Sequence, residues 1–144
     1  MNTAMKYPLA IASVYLWIGF VCAISFMEAW LKFKAPGVSL PIGLGIGRLV
    51  FNVLNKVEWV LAFAIITSMF SAGGTLQASL IFLIIPLILL VIQTFWLLPG
   101  LDVRAEMYIQ GLAVPPSDLH IYYIVAEVCK VISLFIFGIK IIRL

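Results

Sequence analysis

An all-α integral membrane bundle of four helices, running up-down-up-down, is the fold this sequence predicts, and three observations predict it. Hydrophobic residues make up 65% of the chain and charged residues only 10%, with a mean hydropathy of +1.21; an ordinary soluble domain is roughly half apolar and a quarter charged. The apolar residues fall into four runs, each long enough to cross a hydrocarbon core of about 30 Å. The breaks between runs hold Lys32-Phe33-Lys34, Gly73-Gly74 and Pro115-Pro116, connections of the kind that make successive helices antiparallel neighbours. Residues 1–144 read as a single transmembrane domain, because no segment is polar or repetitive enough to make a second. The net charge of +3 belongs to loops and helix ends, and the lack of a basic run or soluble face argues against a nucleic-acid partner.

The first span covers residues 7–31 and has no charge between Lys6 and Glu28. The run is long for a signal-peptide core, and the small-x-small triplet Ala23-Ile24-Ser25 lies inside it, so it reads as a retained helix. Trp17, Val21, Ile24, Ser25 and Glu28 share a face. Residues 35–47 read as a loop or short interfacial element, because Pro36-Gly37 and Pro41 break regular structure. Gly43 and Gly47 form a GxxxG there, read as flexibility or close approach at an entrance. The second span covers residues 48–70, and Arg48, Asn52, Asn55 and Glu58 recur along it at spacings of 4, 3 and 3. That stripe puts Glu58 about 15 Å inward from Arg48. After a turn at residues 71–75 the third span covers residues 77–98, with a kink expected at Pro86. Gln93, its single strongly polar interior residue, reads as a hydrogen-bonded interhelical amide. Pro99-Gly100 interrupts this helix, and a short helix follows to Ile109. Ser117 or Asp118 caps the fourth span, residues 119–142, and Lys140 and Arg143 anchor its far end. Both termini then lie on one face. Cys22 and Cys129 come at matching depth and read as small apolar packers rather than a disulfide.

Charge is concentrated between residues 99 and 130, in Asp102, Arg104, Glu106, Asp118, His120, Glu127 and Lys130. Asp102 and Glu106 are one helical turn apart, and His120, Tyr123, Glu127 and Lys130 form a stripe at spacings of 3, 4 and 3. The topology brings Glu58 and Glu127 to the same depth, with Glu28, Asp102, Glu106 and His120 around a mouth above them. Ionisable groups in a bilayer are costly and normally face a bundle interior or a water-filled cavity. The leading expectation is therefore a carboxylate-rich cavity holding iron, zinc or manganese, with Glu28, Glu58, Asp102, Glu106, His120 and Glu127 as candidate ligands. Glu58, Glu127 and Lys130 are the candidate catalytic groups, and Arg48, Asn55 and Arg104 the candidate cofactor-binding groups. The expected chemistry is oxidoreduction of a small hydrophobic substrate. The pattern departs from di-iron helical bundles, since it has no Glu-x-x-His and a single His. Two alternatives stay open: a proton-coupled small-substrate carrier working as a dimer, and a structural membrane subunit with buried ion pairs. The partners expected are the lipid bilayer, a small molecule or proton, and a second copy of the chain. Lys32, Lys34, Arg48 and Arg104 at the cavity face, against Lys6, Lys140 and Arg143 opposite, lean towards a cytoplasmic cavity.

The topology, with the placement of Gly19, Glu28, Glu58 and the stretch from Pro99 to Arg104, resembles small four-span bacterial membrane proteins of the DoxX-like and anthrone-oxygenase-like group. The resemblance is one of architecture and transfers no residue's role. It implies a bacterial inner-membrane location and oxidoreductase chemistry on a quinone-like or aromatic substrate.

Overall fold

The computed structural model describes residues 5–72 and 77–144. Four helical runs make up the bundle: Pro8–Lys34 (α1), Leu40–Ser71 (α2), a third that joins Gln77–Ile92, Gln93–Leu97 and Leu98–Ile109 (α3), and Leu119–Ile142 (α4). α1 packs on α2 and α4, and α3 packs on the same two, which makes a closed square of neighbours. Tyr7, Met69, Leu83 and Ile141 belong to one buried cluster. The start of α1, the end of α2, the start of α3 and the end of α4 therefore share one face, as the up-down-up-down expectation requires. The turn expected at residues 71–75 lies, beyond Ala72, outside the described residues.

Three runs, Pro8–Lys34, Leu40–Ser71 and Ser79–Ile109, are long and apolar enough to cross a membrane. Their outward faces are apolar, with Leu49, Val60, Phe63, Phe70 and Phe95 all exposed. α4 is the shortest of the four runs and is not among them. It has Glu127 and Lys130 near its middle, both buried, as α2 has Glu58.

The helix boundaries depart from expectation in two places. Residues 40–47 are not loop: α2 starts at Leu40, because Pro41 in its first turn lacks an N–H that would have no partner there and already has helical φ. Gly43 and Gly47 then form a bare strip on the helix. The Phe33 ring occupies the space a Cβ at Gly43 would fill, and Lys32 Nζ lies 3.2 Å from the Cβ position of Gly47. Of the two readings of the GxxxG, close approach holds, here to the end of α1. Pro99 and Gly100 lie inside a helical turn, and the interruption of α3 comes just before them, as a π turn over Gln93–Leu97. Proline cannot donate to the carbonyl four residues back, and its ring crowds that carbonyl, so the preceding turn widens. α1 has a π turn as well, over Cys22–Glu28. Gly100 has a packing role: a Cβ there would come 2.9 Å from Leu119 Cδ1, where α4 begins.

One half of the bundle is a tight apolar core. Val14, Trp17, Ile65, Leu90, Leu134 and Phe137 are fully buried within it. Gly138 lets α1 close on α4 there, since a Cβ at that position would meet Val14 Cγ1 and the Tyr15 hydroxyl, each at 3.1 Å. Gly138→Leu should consequently destabilise the purified protein by about 1–3 kcal/mol through overpacking. Gly19→Ala, which meets nothing within 4 Å, should be neutral or slightly stabilising. Thermal unfolding in detergent measures both, and equal unfolding temperatures for the two variants would contradict this packing.

Candidate functional site: a buried ion network beneath an open cavity

Where the apolar half ends, four helices contribute one polar layer. Lys130, on α4, is the hub. Its Nζ donates to Glu58 Oε2 at 2.5 Å, to Glu127 Oε1 at 2.8 Å, and to Gln93 Oε1. Glu127 lies one turn before it on the same helix, Glu58 comes from α2 and Gln93 from α3. Each carboxylate has a further donor: Trp17 Nε1 on α1 reaches Glu58 Oε2 at 2.7 Å, and Ser25 Oγ on α1 reaches Glu127 Oε2 at 2.6 Å. Gln93 also donates through Nε2 to Glu127 Oε1 at 2.5 Å. Glu58 is 1% exposed, and Glu127 and Lys130 are 0% exposed. All three are stripped of water, so these hydrogen bonds replace the hydration each group gives up.

The two π turns supply donors to this layer, Ser25 from α1 and Gln93 from α3. A π turn rotates the side chains that follow it relative to a regular helix, and such turns recur at functional positions. Sequence reasoning placed Gln93 correctly as an interhelical amide. It missed Trp17 as a ligand of Glu58, although a mid-span indole N–H needs an acceptor and so hints at one.

Above the layer lies a cavity of about 690 Å³, open on the face opposite the chain ends. Ser25, Tyr123 and Glu127 form its floor, and Phe26, Trp30, Phe33, Phe51 and Tyr108 line its walls. The Phe51 and Tyr123 rings meet edge to face at 5.4 Å between centroids, holding α2 against α4 where the cavity narrows. At the rim Arg48 clamps Asp102 along one edge of its guanidinium, Nε at 2.6 Å and Nη2 at 3.0 Å, and donates to Glu106 through Nη1. Glu28 binds Lys32 at 3.2 Å.

This arrangement corrects the metal expectation. Among the described residues no group of three or more His, Cys, Asp or Glu side chains is placed to hold a metal ion. Glu58 and Glu127 do converge, but the Lys130 ammonium sits between them, where a bridging cation would have to be. Asp102 and Glu106 are tied to Arg48, Glu28 is tied to Lys32, and His120 is exposed at the cavity mouth. Iron, zinc or manganese as cofactor, and the oxidoreductase chemistry expected of such a centre, have no ligand set here. Of the candidate cofactor-binding residues, Arg48 and Arg104 both line the cavity and Asn55 does not. Arg48 holds the rim acids, Arg104 donates to Pro115 O at 2.6 Å, and Asn55 hydrogen-bonds Thr94 Oγ1 at 3.0 Å outside the cavity lining. Cys22 and Cys129 are both free thiols.

The rim clamp and the buried network should respond differently to salt, because exposed pairs are screened and desolvated ones hardly are. Arg48→Ala should lower thermal stability slightly, and about 1 M salt should abolish the difference from the unaltered protein. Lys130→Met should lower it far more, with a difference that persists in the same salt. Unfolding curves at two salt concentrations test this, and a salt-insensitive Arg48 effect would contradict it.

Comparison with known proteins adds no relatives: no family model, no curated protein and no solved structure matches this chain. The resemblance to the DoxX-like group thus stands only as a largely apolar four-helix bundle with one interrupted helix.

Proposed function

We propose that the protein is a structural membrane subunit, with a four-helix packing fixed in register by the buried Glu58–Lys130–Glu127 network. The observation that carries this reading is the placement of one fully buried ammonium in contact with side chains from α2, α3 and α4 at once. A network that draws on three helices, with Trp17 and Ser25 adding the fourth, is satisfied by a single rotation and height of each helix. In hydrocarbon the alternative registers leave a charge unpaired, and that penalty selects among packings that are otherwise equally greasy. The lipid bilayer is the partner that suits the apolar outer surface. α4 crosses it with the others, its length of 24 residues giving about 36 Å and its two mid-span charges, Glu127 and Lys130, turned inward.

The test separates register from mere charge. Lys130→Met leaves two carboxylates facing each other without a counter-charge and should cost about 3–5 kcal/mol. The triple variant Glu58→Gln, Glu127→Gln and Lys130→Met keeps the volumes and removes the charges, and should recover most of that stability. Crosslinking between the packed neighbours α3 and α4, through cysteines introduced at matched depths, should give one dominant pair in the native protein and a spread of pairs in the triple variant. A single variant as stable as the native protein, or a triple variant with an unchanged crosslinking pattern, would refute the register role.

A further inference from the structure

Lys56 is a mid-span charge that the bundle does not answer. It comes two residues before Glu58 on α2 but on the other side of the helix, and it is exposed where Glu58 is buried. Among the described residues it makes no ion pair; the lysines that do are Lys32 and Lys130. Its neighbours on the outward face are Leu49, Val53, Val60 and Phe63, all exposed, so the ammonium stands among side chains that face hydrocarbon. Lys56 is eight residues along α2 from Arg48 at the cavity rim and fifteen from Ser71 at the helix end, about 12 and 22 Å. Both distances exceed the reach of a four-carbon stem. A lone ammonium facing lipid is costly, and charges at this depth normally pair.

The missing partner is a carboxylate, and a second copy of this chain has none to offer at that depth. Its six acids are all placed elsewhere. Glu58 and Glu127 are buried against Lys130, Asp102 and Glu106 bind Arg48 at the rim, Glu28 binds Lys32, and Asp118 stands just before α4 begins. Two copies joined symmetrically through this face would set one Lys56 against the other. The face itself has the form of a helix seam. Leu49, Val53, Lys56, Val60 and Phe63 recur at spacings of 4, 3, 4 and 3, the pattern along which a second helix packs side chain between side chains, and a single lysine in such a seam selects partner and register.

We propose that the outward face of α2 docks a transmembrane helix of a different protein, one that carries an Asp or Glu at the depth of Lys56. This rests on the reading of the chain as a membrane subunit and names the chemistry of its partner. The charge that fixes helix register inside the bundle and the charge that selects the partner outside it are then separate, Lys130 for the first and Lys56 for the second.

The experiment places the full chain in phosphatidylcholine vesicles with a designed helix of about 22 leucine and alanine residues bearing one Glu at its centre. Energy transfer between dyes on the two reads their association, at a dilution in lipid where the designed helices do not pair with each other. The Glu helix should associate about tenfold or more tightly than the same helix with Leu in its place. Lys56→Leu in the chain should remove that advantage and leave the thermal unfolding of the bundle unchanged. Equal association of the two helices, or a preference that survives Lys56→Leu, would overturn the proposal. So would acylation of Lys56 by a water-soluble amine reagent, in vesicles without the designed helix, as fast as that of the exposed Lys34: the ammonium would then reach the headgroups, with a lipid phosphate as its counter-ion. Failure of the register reading shows separately, in the crosslinking of α3 and α4 with Lys56 left in place.

Discussion

The constraint on which the rest of this structure depends is the burial of one lysine ammonium in a membrane bundle. An isolated ammonium in hydrocarbon is so unfavourable that every surrounding element has to answer it. Here the answer is spread across the bundle: Glu58 from α2, Glu127 from α4 itself, and Gln93 from the widened turn of α3. Those acids then require donors of their own, which Trp17 and Ser25 on α1 provide. The chain of obligations ends only when all four helices have been placed. Apolar packing alone does not discriminate so sharply among helix rotations, because Leu, Ile and Phe on any face are equally content in lipid.

The irregularities of the helices follow from the same demand. A regular helix presents side chains at a fixed angular step, and Ser25 and Gln93 both stand within π turns. Each widened turn shifts the local phase and aims its polar residue at Glu127. Pro99 makes one of these turns favourable at no further expense, because its ring already disfavours a standard turn before it. Gly43, Gly47 and Gly100 serve the other end, where absent side chains admit Phe33, Lys32 and Leu119.

Much of this was legible in the sequence, and the reasons for the rest are physical. Four apolar runs and their breaks specify an up-down-up-down bundle, and counting residues inward from one face puts Glu58 and Glu127 at the same depth. Depth, however, is a backbone quantity. It cannot say whether converging carboxylates are bridged by a metal ion or by a long side chain reaching up one turn, and Lys130 at three residues beyond Glu127 does the latter. The pairing of Arg48 with Asp102 and Glu106 was hidden for a related reason: once Pro99-Gly100 is read as the end of a helix, the acids beyond it lose their angular relation to α2. Trp17 was visible as a polar tip on an apolar face, but its acceptor depends on how α1 is rotated against α2, which only the tertiary structure fixes.

The two halves of the bundle are unequal, and that asymmetry sets what can move through it. Below the polar layer, Val14, Trp17, Leu134 and Phe137 are fully buried in one apolar cluster, whereas above it the space is open to one side. A solute entering that cavity would meet the polar layer with the apolar cluster behind it. In electrical terms the molecule would be a blind well wherever water fills the cavity: most of a transmembrane voltage would then fall across the apolar half, beyond Glu58 and Lys130. A charge settling at the floor of the well would feel the voltage only weakly.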